Sequence, residues 1–460
     1  MKSKLTYTFL LCAGLCACKD SRTPGNLKIS ENNRFFAQHN DEPFFWLGDT
    51  GWLLLSRLNR EDAEKYLADR KQKGFNVIQV MVLHGVAAVN MYGDSALINK
   101  NVSTPRVTPG NSFKDTLEYD FWDHVDFIVD KAAENNIYMA LVPVWGSNVK
   151  AGHVSKEQAT VYTSFLAERY KDRPNIIWLN GGDIKGIDGM EVWNAIGNAL
   201  RSNDPNHLIT FHPRGRTTSS TWFHNAAWID FNMFQSGHRT YEQDTSKAEL
   251  RYGEDNWKYM NVDYGKEPVK PSLDGEPSYE EIPQGLHDTT QLRWTDKDVR
   301  RYGYWSVFAG GCGYTYGHNS VMQMYKPTDK KSAYGARTFW YDAINAPGAM
   351  QMHLLKELML SRPYFERIPD QSLVADQQPR YDYIAATRGT GYAFLYTYTG
   401  RTFKVNMGKI SGGEVKATWF NPGDGKTMEA GKFRNEGVME FDPPGAPQPG
   451  NDWVLILDTV

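Results

Sequence analysis

Short apolar runs rich in β-branched and aromatic residues recur along the first 365 residues, with helical patterns between them. The runs are FFWLGDT (44–50), NVIQVMVLH (76–84), IYMALVPVWG (137–146), NIIWLNGGD (175–183), HLITFHP (207–213), WIDFNMFQ (228–235), KPSLDGE (270–276) and YWSVFAGGCGYTYG (304–317). Several are apolar without strict alternation, as strands buried on both faces of a parallel sheet are. Asn59 with Asp62 opens a helix that ends at Gly74, and Phe121, Val125, Ile128, Val129 and Ala132 line one face of a second. Ser155 and Gln158 form a capping box before ATVYTSFLAERY, and Thr295 is placed to cap DKDVRRYGYW. Eight strands with intervening helices predict a (β/α)8 TIM barrel, with a doubly wound open sheet as the rival.

After a last helical stretch, GAMQMHLLKELMLSRPYF (348–365), short alternating segments punctuated by Gly, Pro and Asn take over. They predict a small antiparallel β-sandwich. The expected organisation is a lipoprotein signal peptide and tether over 1–25, a catalytic barrel over 26–368 and the sandwich over 369–460. PPGAPQPGND (443–452) is Pro-rich, but its glycines do not recur every third residue, so it reads as a loop.

Lys2 and Lys4 precede an apolar run too short for a membrane span, and Leu15-Cys16-Ala17-Cys18 resembles a bacterial lipobox. The expectation is an exported bacterial lipoprotein, periplasmic or on the cell surface, held to the membrane by a lipid on Cys18. Cleavage there would leave Cys18 and Cys312, with no thiol pair for an internal disulfide. The rival is a plain signal peptide cleaved elsewhere. A net charge of −3 supplies no basic footprint for nucleic acid. The 14 Trp and 25 Tyr would either fill a large core or offer flat platforms to sugar rings.

In such a barrel the chemistry sits where strands end and βα-loops begin. The runs finish on or near Asp49, His84, Trp145, Asp183, His212, Gln235, Glu276 and Trp305. Eleven His are present without a His-Glu-x-x-His or Cys-x-x-Cys spacing, so no metal or other cofactor is expected. No Gly-x-Ser-x-Gly elbow appears, and GGCGYTYG lacks dinucleotide spacing. Asp183 and Glu276 remain. Strands four and seven of a closed barrel face each other across its mouth, which suits a reaction needing two carboxylates about a glycosidic bond. Within LDGEPSYEE, Asp274 points the same way as Glu276 and would tune it or bind substrate, while Glu280 and Glu281 read as solvated acids.

FFWLGDTGW, FNVIQVMVLH, IIWLNGGD, DGEPSYE and the closing PPGAPQPGNDWVLILD resemble the apiosidase-like barrel family, grouped with glycoside hydrolase family 140 and often followed by a small domain labelled collagen-binding. The resemblance covers nearly the whole expected mature chain. It implies a retaining glycosidase with Asp183 as acid/base and Glu276 as nucleophile, acting on plant or complex glycans, apiose release from pectin being one characterised activity. It departs from the wider clan in having Asn180 and Asp183, separated by two glycines, where an Asn-Glu pair is usual. Trp52, Trp145, Trp305, Tyr314 and Tyr316 are candidate sugar platforms. Asn180, His84, His212 and Gln235 are candidate hydroxyl ligands, and Asp49, Asp274 and His318 complete the expected substrate-binding set. The alternative function is a non-catalytic glycan- or matrix-binding surface lipoprotein.

Overall fold

The computed structural model describes residues 24–245 and 251–460, so the expected signal peptide and Cys18 lie outside the described residues. One nine-stranded sheet dominates. Its parallel members are β1 (Trp46–Thr50), β2 (Val77–Leu83), β3 (Tyr138–Val144), β4 (Ile176–Ile184), β5 (Ile209–Pro213), β6 (Asn232–Gln235), β7 (Ser272–Asp274) and β8 (Gly313–Tyr316). The ninth, Thr217–Thr218, is short and runs antiparallel to β6. β8 pairs with β1, Gly313 opposite Trp46. The remaining seam, between β5 and β6, is bridged by the Asp230 amide to the Ile209 carbonyl at 2.8 Å and by Thr210 Oγ1 to the Phe231 carbonyl at 2.6 Å. The sheet is therefore a nearly closed barrel, as the sequence predicts.

Helices α1 (Arg60–Gln72), α2 (Phe121–Glu134), α3 (Lys156–Tyr170), α4 (Met190–Asn203), α5 (Trp257–Tyr264), α6 (Asp296–Phe308) and α7 (Pro347–Leu360) clothe it. The Asn59 side chain accepts from the Asp62 amide, and Ser155 and Gln158 close the expected capping box. Each cap satisfies helix-end amides that have no carbonyl within the helix, typically worth about 1 kcal/mol.

The eighth predicted strand is corrected. YWSVF belongs to α6, and the strand starts only at Gly313. Every residue from Val299 to Phe308 is buried, because α6 lies between the barrel and the C-terminal sheets. A helix covered all round shows no amphipathic period in its sequence. Gly310, at φ 117°, ends it.

Beyond α7 the chain forms antiparallel sheets. One is six-stranded and contains Tyr392–Thr397, Trp453–Thr459 and Glu414–Phe420; the other pairs Phe403–Asn406 with Val438–Phe441. Leu395, Phe403, Val405, Val415 and Leu455 are fully buried in the core between them. This unit is tied to α6 by Arg300, which donates to both Asp452 carboxylate oxygens at 2.8 Å, and by Tyr304 stacked on Tyr396 at 4.7 Å between ring centroids. A third contact stacks Trp257 on Tyr383. No helix among the described residues is long and apolar enough to cross a membrane.

Candidate active site

The end of β4 is built from three consecutive residues in the left-handed region: Gly181 at φ 90°, Gly182 at φ 105° and Asp183 at φ 46°. A Cβ on Gly182 would lie 2.5 Å from the Trp145 ring, and one on Gly181 would lie 2.7 Å from the His212 carbonyl. Both glycines are thus required by conformation and by space. They turn the chain so that Asp183 projects, solvent-accessible, from a strand whose other residues are all buried. A non-glycine residue held there stores local strain, of order 1–3 kcal/mol.

Glu276 lies two residues beyond β7 and is 8% exposed. His238 Nε2 stands 3.1 Å from its Oε1, and His212 Nε2 is 3.3 Å from its Oε2 in a less well aligned contact. The backbone fixes which ring nitrogen carries hydrogen. The Tyr279 amide donates to His238 Nδ1 at 3.3 Å, and the Asp183 amide donates to His212 Nδ1 at 3.4 Å. With each Nδ1 an acceptor, each Nε2 is the N–H that faces Glu276. The Tyr279 hydroxyl, which accepts from Trp52 Nε1 at 3.2 Å, also faces this carboxylate.

These surroundings drive the two carboxylates apart. Burial alone would raise Glu276, but hydrogen bonds from His212 and His238 outweigh it and hold the carboxyl well below the usual range. Asp183 is pushed up, first by desolvation within the barrel mouth and then by the negative charge of Glu276, with His212, Arg214 and the Gly215 amide opposing. The surroundings therefore displace the two carboxyls in opposite directions, Glu276 down and Asp183 up. Paired groups displaced in opposite directions are how enzymes divide acid and base roles.

Trp52, Trp145 and His212 form an aromatic wall beside these groups, with Trp52 and His212 edge-to-face at 5.2 Å and Trp52 and Trp145 at 5.2 Å. Trp145 is half-buried and Trp52 buried. His84 is exposed at the end of β2, with Nδ1 3.2 Å from Ser56 Oγ. Gln235, at the end of β6, is 4% exposed, and its Oε1 has no hydrogen-bond partner.

Several expected ligands are engaged elsewhere, and for these the structure corrects the reading. Asp49 is fully buried, accepting from the Tyr66 hydroxyl at 2.6 Å and pairing with Arg70 at 3.1 Å, so it fastens β1 to α1. Asn180 is 1% exposed, donates to the Trp193 carbonyl and accepts from the Gly181 amide, so it braces the end of β4. Trp305 is fully buried on α6, edge-to-face with Tyr383. Tyr314 and Tyr316 are also fully buried, with hydroxyls on the Val299 carbonyl and on Glu280. His318 is 2% exposed and accepts from the Ser320 amide to cap a short helix, while burial lowers its pKa to about 3.

Asp274 is buried rather than a sugar ligand. It accepts from Ser236 and Asn256, and desolvation pushes its carboxyl up to about 7. Glu280 is corrected too: it is 3% exposed, not solvated, and accepts from the Tyr316 hydroxyl at 2.6 Å and the Gly348 amide at 3.0 Å. Its carboxyl is likewise pushed up to about 7, chiefly by burial.

Four neighbours of the two carboxylates carry no expected role from sequence: His238, Tyr279, Arg214 and Tyr334. Burial, then the charges of Glu276 and Asp183, raise the Tyr334 phenol, which places Tyr334 near both acids. It occupies the left-handed region at φ 50°, with its carbonyl held by Asn319 at 3.0 Å. The available signal for His238 was its position three residues past a predicted strand. Among the described residues no cluster of His, Cys, Asp and Glu is arranged to hold a metal ion.

Known proteins match this arrangement over almost all of the chain. Residues 30–366 match the family model "Apiosidase-like, catalytic domain", and residues 368–458 match "Putative collagen-binding domain of a collagenase". A solved structure described as a glycoside hydrolase is 49% identical, with 95% of this chain and 97% of that one covered at a TM-score of 0.89. A glycoside hydrolase family 5 structure from Bacteroides vulgatus is 46% identical, with 95% and 94% covered at the same TM-score. No curated protein matches at a significant level. With its barrel and both carboxylates inside the matched span, the chain belongs to the apiosidase-like catalytic-domain family.

Proposed function

We propose that this glycosidase cleaves plant or complex glycans by a retaining two-carboxylate mechanism, with Asp183 as acid/base and Glu276 as nucleophile. The observation that carries the reading is the opposed environment of the two groups. Glu276 receives an imidazole N–H from His238, with that of His212 facing it at 3.3 Å, and its carboxyl is held down, while that of Asp183 is pushed up. In the first step Asp183 protonates the departing glycosidic oxygen as a Glu276 oxygen attacks the anomeric carbon, breaking the C–O bond and forming a glycosyl ester. In the second, Asp183 takes a proton from water, which displaces Glu276 and restores the same anomeric configuration. Trp52 and Trp145 supply the apolar wall for a sugar face, and His84 and Gln235 supply polar groups for its hydroxyls. Release of apiose from a pectin-derived glycan is the substrate reading that the family name favours.

The basic start, the apolar run and the lipobox-like ending at Cys18 support export as a lipoprotein. Cys18→Ala should abolish incorporation of labelled fatty acid into the expressed protein; unchanged labelling would reject that anchor.

The test of catalysis is hydrolysis of a panel of pectic and other plant oligosaccharides by the wild type, Asp183→Asn and Glu276→Gln. Loss in both variants supports the roles, and equal activity in all three sinks them. A wild type that binds a glycan and cuts none of the panel would instead favour a non-catalytic binding lipoprotein.

A further inference from the structure

The connection from β6 to α5, described over 236–245 and 251–256, carries His238 near its start and Glu254 near its end. Glu254 is fully buried, and groups from three parts of the chain meet on its carboxylate. Arg301 of α6 donates to Oε2 at 2.6 Å. Its guanidinium is also fully buried, with the ring centroids of Tyr302, Trp305, Tyr381 and Tyr398 at 4.8–5.1 Å. The Tyr241 amide donates to Glu254 Oε1 at 3.3 Å. The Tyr381 hydroxyl, from the C-terminal unit, donates to the same oxygen at 2.8 Å. A buried carboxylate is tolerable only when its charge and lone pairs are met in good geometry, so this junction is a fixed post.

Tyr241, which is tied to that post, lies three residues beyond His238. The His238 carbonyl accepts from the Gly285 amide at 2.8 Å, and the loop then turns at Thr240, whose carbonyl accepts from the Gln243 and Asp244 amides at 3.1 and 3.0 Å. Bonds within a turn fix its shape but not its angle to the barrel. That angle is set where the turn touches other segments. Gln243 Nε2 donates to the Gln284 carbonyl at 3.2 Å, and Tyr241 is gripped from the C-terminal side. The Tyr381 ring packs edge-on against the Tyr241 ring at 5.5 Å, Arg380 lies over that ring at 4.9 Å, and the Tyr241 hydroxyl donates to Asp255. Arg300 with Asp452, and Arg362 with Asp458, join the same two units elsewhere. Tyr381 differs from them in its target, the loop that bears His238.

We propose that Tyr381 is a positioning residue through which the C-terminal unit, by way of Glu254 and Tyr241, holds the β6–α5 loop at the angle that aims the His238 imidazole at Glu276. The antiparallel unit is then a working part of the barrel's active site rather than an appendage. The inference rests on the reading of Glu276 as nucleophile for its effect on rate, but the placing of the imidazole can be measured without turnover.

Tyr381→Ala and Tyr381→Phe in the whole protein test it, with Arg362→Gln as the comparison. Arg362 holds Asp458 by two bonds, at 2.6 and 2.7 Å, and its hydrogen bonds do not touch the loop. In protein carrying isotope-labelled histidine, the His238 Nε2–H resonance is identified by its absence from His238→Phe. It should move in Tyr381→Ala and move less in Tyr381→Phe, which keeps the ring on Tyr241 and decides the matter where the alanine variant does not fold. On a pectic oligosaccharide that the wild type cuts, the acid limb of kcat/KM should rise by about 0.5–1 unit in Tyr381→Ala, part of the effect of losing the imidazole outright. Arg362→Gln should lower the melting temperature and leave both the resonance and the acid limb in place. A tyrosine that merely joins the two units would behave as Arg362 does. A resonance or an acid limb unmoved in both Tyr381 variants, or moved equally in Arg362→Gln, overturns the positioning role. Hydrolysis retained by Glu276→Gln would remove the nucleophile reading instead, and the resonance alone would then decide the inference.

Discussion

Replacing His238 by Phe tests how Glu276, the proposed nucleophile, is kept ionised. The ring that packs on Tyr279, at 4.7 Å between centroids, is preserved, whereas the N–H to Glu276 Oε1 at 3.1 Å and the acceptor for the Tyr279 amide at 3.3 Å are lost. His212 is the poorer choice, because its Nδ1 also holds the Asp183 amide. In the wild type, burial pushes Glu276 up and the two imidazole donors pull it down further than burial raises it. A hydrogen bond to a charged group is worth about 1.5–3 kcal/mol, and one pKa unit is about 1.4 kcal/mol. Removing His238 should therefore raise the Glu276 carboxyl by about 1–2 units. The acid limb of kcat/KM, which reports the free enzyme, should move up by the same amount, since the nucleophile works as its anion. The basic limb, which the proposed roles assign to loss of the Asp183 proton, is not governed by this hydrogen bond and serves as the internal control. Initial rates from pH 3 to 9 on a glycan that the wild type hydrolyses would measure both limbs. A variant with full stability and a profile superimposable on the wild type would refute the reasoning.

Asp183→Asn should lower kcat about 10²- to 10⁴-fold, the usual reach of a positioned acid, with smaller losses for substrates whose leaving groups need no proton. Gly182→Ala should place a methyl against Trp145 and tilt the Asp183 loop, lowering kcat roughly 10²-fold, and a normal rate would show that the loop is not set by these glycines. Arg300→Met strands the buried Asp452 carboxylate and should cost about 3–5 kcal/mol by denaturant unfolding, with Arg300→Met/Asp452→Leu recovering much of it. Glu280 binds its proton more tightly folded than unfolded, so it makes stability fall as pH rises from its usual carboxylate range towards about 7. Glu280→Gln should flatten that fall, and an unchanged pH-stability curve would contradict the burial argument.

The barrel was legible because its strands are apolar runs of strand length, with caps such as Ser155 and Gln158 marking helix starts between them. The eighth strand was misplaced because the later part of α6, from Val299 to Phe308, is buried on every side, so YWSVF reads as an apolar run that could equally be a strand. Asp183 and Glu276 stood out because a strand end has little structural use for an unpaired acid. Asp49 carried the same signal and was misread, since its partners Tyr66 and Arg70 lie 17 and 21 residues away and only folding brings them together. Trp305, Tyr314 and Tyr316 show that aromatic content near a strand end does not separate a sugar platform from core. His238 and Arg214 were passed over because their importance comes from what they face across the barrel mouth, which no local spacing records.

The central claim, that Glu276 attacks and Asp183 transfers the proton, is tested most directly by azide rescue of Glu276→Gly and Asp183→Gly on an aryl glycoside of the sugar that the wild type releases. Removing the nucleophile opens its place to azide, so Glu276→Gly should yield a glycosyl azide of inverted configuration. Removing the acid/base leaves the glycosyl ester on Glu276 for azide to attack, so Asp183→Gly should yield the azide of retained configuration. Rescue with the two configurations exchanged, or inversion in both variants, would contradict the assignment.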